Sequence, residues 1–181
     1  MKKTRFAEFS CSIARTLDVV GERWAMLIMK DVFLGVTRFD DLQRDLGIAR
    51  NVLAERLESL VADGLLERCV YQQHPVRHEY VLTEKGHDLQ SVLFAIVAWG
   101  DRWQSARTGP PLKLRHETCA NDTTAKVVCS SCGLPLRAED VTAHGGPGGR
   151  IGPGTQVTGE LLAAGPRRLA DPGSEDRQQH S

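Results

Sequence analysis

What this sequence lacks narrows the field before any motif is sought. It has no excess of either charge, since 23 Lys and Arg balance 23 Asp and Glu. That excludes a polycation that coats nucleic acid indiscriminately, so any contact with phosphate must rest on where charge sits. Aromatics are scarce, at 6% of the chain. No long apolar run occurs: the most apolar stretch, Leu89 to Trp99, is too short to span a bilayer and is bounded by Asp88 and Asp101. The start, MKKTRFAEFSCSIARTLD, has an early positive pair but no apolar run after it, so neither export nor membrane insertion is expected. A glycine-rich phosphate loop, a G-x-S-x-G elbow and an H-E-x-x-H pair are all missing, and no enzymatic activity is expected. Five cysteines, odd in number and irregularly spaced, suit metal or redox thiols in a reducing cytoplasm better than a secreted disulfide framework.

What is present is unevenly spread. The apolar fraction of 41% is ordinary, but large aliphatics and aromatics concentrate before about residue 108, and glycine and proline after it. This predicts a folded domain over 1–107, a linker over 108–115 built on Thr108-Gly109-Pro110-Pro111, a cysteine-containing segment over 116–143, and a disordered tail over 144–181. The expected fold class is mostly α with a small β-hairpin.

The stretch from Arg38 to Arg68 organises the first part. Phe39, Leu42 and Leu46 recur at one-turn spacing until Gly47 breaks the pattern. A second run carries Leu53, Leu57, Leu60 and Val61, and Gly64 ends it. Two short amphipathic helices with a glycine at the join form a helix-turn-helix pattern, whose second helix is shaped to enter a major groove. Before them, residues 12–20 predict a short helix. Residues 22–34 predict a buried one, because Trp24, Leu27, Ile28, Val32 and Phe33 are too many for a single wet face. Val36-Thr37 could supply a short strand.

After the pair, two β-rich runs flank a polar loop with Pro75 and read as a hairpin. The order helix, helix, turn, helix, hairpin is that of a winged helix-turn-helix. The wing tip, Arg68 to Arg77, carries no acid, and His74 and His78 add donors, as a phosphate clamp requires. Thr83 then caps a last helix, with Glu84 in its first turn. Its apolar positions are Leu89, Val92, Leu93, Ile96, Val97, Gly100 and Trp103, with Trp99 on a flank. So wide a stripe at the edge of a small domain either caps the core or also packs on a second chain. A two-fold dimer would present two recognition helices one DNA turn apart.

The stretches CSIARTLDVVGERWAMLIMKDVFLG, TRFDDLQRDLGIARNVLAERLESLVADGLLER and EYVLTEKGHDLQSVLFAIVAWGDRW cover about 100 of the 181 residues. In them the sequence resembles the HxlR-type family of bacterial winged helix-turn-helix transcriptional regulators. The resemblance implies a cytoplasmic homodimer that binds double-stranded DNA at a pseudo-palindromic operator, with a small-molecule or oxidant effector in some members. The alternative is a winged helix used as a protein-interaction module, for which the basic wing would be incidental.

On the second helix of the motif, Asn51, Glu55 and Glu58 lie opposite the leucines, with Val52 on a flank. Only its first turns reach base edges, so Asn51, Val52 and Glu55 are the candidate base readers, for adenine, the thymine methyl and cytosine respectively. A surface salt bridge with Arg56 is the competing reading of Glu55. Arg38, Arg50, Arg77 and His78 are candidate phosphate contacts, and Arg56 either grips phosphate or pairs within the chain. Cys11, just before the first helix, is a candidate redox-sensing thiol, or else a small residue packing a dimer interface. The resemblance adds that some family members sense oxidants, quinones or aldehydes at this place. Cys69, on the wing strand, is read as structural. His116-x2-Cys119 and Cys129-x2-Cys132-Gly133, nine residues apart, match the ligand spacing of a small zinc ribbon. A disulfide-prone CxxC and incidental cysteines are the alternatives.

Overall fold

Aliphatic side chains at helical spacing draw the first elements together. The computed structural model describes Phe6 and residues 8–169, which divide into one body over 16–125 and another formed by 126–169 with the residues before 16. Helix α1 spans Ser12–Val20, α2 Ala25–Phe33, α3 Phe39–Leu46 and α4 Arg50–Ala62. Ile28 and Met29 of α2, Leu42 of α3, and Leu53 and Leu57 of α4 have no exposed surface, and Leu60 only 1%. With Ile48, Leu65 and Leu66 they form one cluster. This is the winged-helix core, and burying each such aliphatic side chain contributes about 1.5–3 kcal/mol.

Strands β1 (Leu66–Gln72) and β2 (Arg77–Leu82) pair antiparallel from Leu66↔Leu82 to Gln72↔Arg77 and form the wing. Val36-Thr37 is not a strand. The third side of the wing is reduced to one bridge, Arg38↔Glu79, reinforced by the Tyr80 amide donating to the Thr37 carbonyl and the Thr37 hydroxyl to Glu79 Oε2. Only three residues separate Gly35 from α3, which leaves little length for a ladder.

The end of α4 is locked to the start of the last helices. Gly64 takes φ +71°, and the amides of Gly64 and Leu65 turn back to the carbonyls of Val61 and Leu60. This is the glycine-dependent helix stop of the Schellman type. The Thr83 hydroxyl donates to the Gly64 carbonyl at 2.6 Å and accepts from the Gly86 amide at 3.0 Å, so it serves as N-cap and as tether. What the sequence reads as one last helix is two, α5 (Glu84–Asp88) and α6 (Gln90–Trp103). On α6 the expected stripe also divides. Leu89 and Leu93, at its start, pack on the core, while Val92, Ile96, Trp99 and Trp103 stay 44–61% exposed.

One buried charge interrupts the apolar interior. Asp31 is 1% exposed and its Oδ1 lies 2.5 Å from Lys30 Nζ, which also reaches Asp45 on α3 at 3.6 Å. Burial pushes the Asp31 carboxyl above its ordinary value, against the opposing pull of Lys30. An acid so raised takes stability away as pH rises through its folded value and returns it on acidification.

The first body ends in a short hairpin of β3 (Leu114–His116) and β4 (Asn121–Thr123). In the second body β5 (Thr142–Ala143) pairs with β6 (Arg167–Arg168), and α7 spans Gln156–Ala163. Part of the region for which composition predicts disorder thus carries local structure: Val157, Leu161 and Leu162 recur at helical spacing there. Residues 170–181 of that expected tail lie outside the described residues. No described residue of the second body is fully buried. Among the described residues no helix is long and apolar enough to cross a membrane.

Gly86 marks the tightest joint. A Cβ there would stand 2.2 Å from the Leu65 carbonyl oxygen, a backbone atom that cannot swing aside. Gly86→Ala should therefore cost about 1–3 kcal/mol in urea unfolding. An unchanged midpoint would mean that α5 is not held against the strand.

Candidate nucleic-acid interface

The buried leucines of α4 fix which of its side chains face outward. With side chains recurring every 3.6 residues, Asn51, Glu55 and Glu58 are exposed, opposite Leu53, Leu57 and Leu60. Val52 is half-buried and packs against the core cluster, so only part of it is available to a base. The helix begins at Arg50 without a side-chain cap, which leaves its first amides and the positive end of its dipole turned outward.

Around that end lies a cleft of about 520 Å³ to which Arg38, Arg50, Arg77 and His78 all contribute. Three elements bring them there. Arg38 precedes α3, Arg50 opens α4, and Arg77 and His78 begin the second wing strand. Arg38 lies over the Tyr71 ring at 4.4 Å and Arg50 over the Phe39 ring at 4.6 Å. Such stacking orients a guanidinium while leaving its edge free to donate. Burial pushes the Tyr80 phenol up, so it lines the same cleft as a neutral hydrogen-bonding group.

The cleft is not uniformly basic. Asp40 Oδ1 accepts from Arg50 at 3.1 Å, and Asp41 accepts from Arg44 at 2.6 Å. Arg50 and Asp40 are 70% and 78% exposed, so solvent screens the pair, but the carboxylate still stands where it opposes a phosphate at Arg50. Arg77 has no ion-pair partner among the described residues.

Arg56 is placed differently from the other cations. Its side chain is 16% exposed and pairs with Glu55 at 2.8 Å and Glu22 at 3.7 Å. Of the two arrangements open in the sequence, the intramolecular pair is the one formed in the free chain. Glu55 takes part in that pair while remaining 69% exposed. Sequence reasoning missed Phe39, Tyr71 and Asp40. The stacked and paired partners stand 33 and 11 or 10 positions apart in the chain, beyond the reach of any local periodicity.

The cysteines lie apart from this face. Cys11 is half-buried immediately before α1, and its carbonyl accepts from the Arg15 amide. Cys69 is half-buried on β1. His116 Nδ1 and Cys119 Sγ are 3.4 Å apart in the turn of the β3–β4 hairpin. Cys129 and Cys132 belong to the second body, where the amides of Ser131 and Cys132 hold the Cys129 thiol below its ordinary pKa. Among the described residues no group of three or more His, Cys, Asp or Glu is gathered in a way that could hold a metal.

Comparison with known proteins agrees with this fold. Residues 19–108 match the model of the HxlR-like helix-turn-helix family. The chain is similar to an uncharacterized HTH-type transcriptional regulator of Mycobacterium tuberculosis, 45% identical over 137 residues, 76% of this chain and 87% of that protein. It is also similar to the uncharacterized HTH-type transcriptional regulator YtcD of Bacillus subtilis, 32% identical over 64% of this chain and 92% of that one. A solved crystal structure of a protein assigned as a transcription factor superposes with a TM-score of 0.68 at 38% identity, covering 76% of this chain and 96% of the other.

The two kinds of arginine can be told apart by experiment. Asp40→Asn should release Arg50 and steepen the salt dependence of binding to random duplex DNA by about one unit of log–log slope. Arg56→Gln should leave that slope unchanged and lower stability by about 1 kcal/mol. Equal effects on the slope would dissolve the distinction.

Proposed function

The chain belongs to the HxlR-like helix-turn-helix family, and from that premise we propose that it acts as a homodimer on a pseudo-palindromic operator in the cytoplasm, with α4 in the major groove. It is a DNA-binding transcriptional regulator of winged-helix type and not an enzyme. The observation that carries the finer reading is the convergence of Arg38, Arg50, Arg77 and His78 on one cleft beside the exposed start of α4. Cations from three separate elements gathered at a helix N-terminus suit an anionic phosphate backbone. Asn51 is then the first side chain able to reach a base, and an asparagine suits adenine in bidentate fashion. Glu55 follows one turn later.

Pairing is supported by apolar surface that the single chain leaves uncovered. Val92, Ile96, Trp99 and Trp103 share one side of α6, and Ile13 and Leu17 of α1 are 71% and 49% exposed. Two tryptophans and several aliphatics in open water are costly, and a second copy would cover them while setting two recognition helices in two-fold relation. Cys11 stands at the head of α1, so packing or oxidation there would act through the same paired helices.

Asn51→Ala should weaken binding to a selected operator by about 1–3 kcal/mol and leave random DNA unaffected. Arg77→Ala should weaken all sequences alike and flatten the salt dependence. Both are read by fluorescence anisotropy over a salt series, and a uniform loss for Asn51→Ala would remove it from the bases.

For the dimer, light scattering should give twice the chain mass of 19.9 kDa. The double substitution Ile96→Asp, Trp103→Asp should return it to one chain and abolish operator binding. A monomeric native protein would end the two-fold reading.

A further inference from the structure

Helix α6 turns Leu93 to the core and leaves Val92, Ile96, Trp99 and Trp103 as an exposed stripe. At about 100° per residue, Phe94, Val97, Ala98 and Asp101 fall on the side opposite that stripe. There the chain folds back after Pro110. Leu112 and Leu114, leading into and opening β3, stand across from those side chains and enclose a cleft of about 250 Å³ with them. The whole cleft lies within the body over 16–125. Its hairpin side lies beyond the family match over 19–108, so the winged-helix fold alone does not supply it.

The charges lining this cleft do not balance. Lys113 Nζ and Asp122 Oδ2, on the hairpin side, pair at 3.3 Å and offset one another. Asp101, on the helix side, is half-buried and pairs with no cation among the described residues. A carboxylate partly withdrawn from water beside apolar walls favours a cation that brings apolar surface of its own. A second pocket, of about 460 Å³, adjoins the first at Asp101 and Pro110 and is lined also by Ser105. The Ser105 hydroxyl is buried with no hydrogen-bond partner among the described residues, and a buried hydroxyl left unmet is costly. One end of an apolar slot thus holds a charged acceptor and a neutral one, both unused by the rest of the body.

We propose that this cleft binds a small organic monocation, one aromatic ring carrying a short amine arm. The ring lies against Phe94, Val97, Ala98, Leu112 and Leu114, and the ammonium donates to the Asp101 carboxylate and the Ser105 hydroxyl. An ammonium has three donors and no acceptor, which suits those two groups. Size sets the class: a cavity of roughly 150 Å³ holds benzene, so one of about 250 Å³ admits a ring with a chain of about two or three atoms. Apolar contact supplies affinity, and the unpaired carboxylate selects an amine over the matching alcohol or acid.

The test titrates the full-length chain with 2-phenylethylamine by calorimetry near neutral pH, with 2-phenylethanol and 3-phenylpropionate as neutral and anionic counterparts. The amine should give a saturable one-to-one isotherm tighter than about 1 mM, and the alcohol and the acid should bind about tenfold or more weakly. Asp101→Asn should lower amine affinity by about tenfold and erase the preference over the alcohol. Ala98→Phe, which fills the slot, should abolish amine binding. Thermal melting serves as the folding control, and where Ala98→Phe fails to fold, Asp101→Asn decides. No binding of the amine, equal affinity for amine and alcohol, or native-like amine binding by Asp101→Asn would each overturn the proposal. The readout uses no DNA, so it stands or falls independently of the operator.

Discussion

Leu53, Leu57 and Leu60 occupy one side of α4 and bury it almost completely in a cluster with Ile28, Met29 and Leu42. A helix is a rigid cylinder, so pinning these three side chains fixes its rotation as well as its position. Turning Asn51 or Glu55 inward would bring leucines out, at about 1.5–3 kcal/mol each. The residues offered to a partner are thus set by residues that never touch it. The same logic runs on through the helix end. Gly64 stops α4, Thr83 ties its last carbonyls to α5, and Gly86 lets α5 approach the start of β1. Wing and recognition helix are parts of one hydrogen-bonded joint.

Where sequence and structure agree, the signal was local and apolar. The leucine spacing of α4, the break at Gly47, the stop at Gly64 and the cap at Thr83 are each decided within a turn or two of chain, which periodicity and capping rules can see. Disagreement appears wherever the outcome depends on distant partners. Val36-Thr37 has strand-forming residues, yet the distance from Gly35 to α3 allows only one bridge to Glu79. The last helix keeps its amphipathic pattern through Asp88 and Leu89, but the tether at Thr83 and the close approach of Gly86 set α5 apart from α6.

The candidate interface was legible by residue type and only partly by role. Arg38, Arg50, Arg77 and His78 reach one cleft because the wing register and the α3–α4 turn place them there. Arg56 has the same chemistry but sits between α4 and Glu22, where helix packing leaves it 16% exposed. Nothing in its immediate neighbours distinguishes it from Arg50. The aromatic platforms under Arg38 and Arg50 were invisible for the same reason, since Tyr71 and Phe39 meet their cations only through the tertiary fold.

The balance of charge then acquires a physical meaning. Affinity for DNA of any sequence grows with the number of phosphates neutralised and falls with salt accordingly. Here the cleft cations are offset by Asp40 and Asp41 at the mouth of the same groove, and the chain as a whole carries no net charge. Such a surface offers few unopposed charges to a phosphate backbone. Phosphate contacts contribute alike on every sequence, so charge of this kind sets affinity and salt dependence and carries no discrimination of its own. A chain with this balance of charge meets phosphate through where its arginines sit rather than through how many it has, and that is why neutrality is compatible with a DNA-binding regulator.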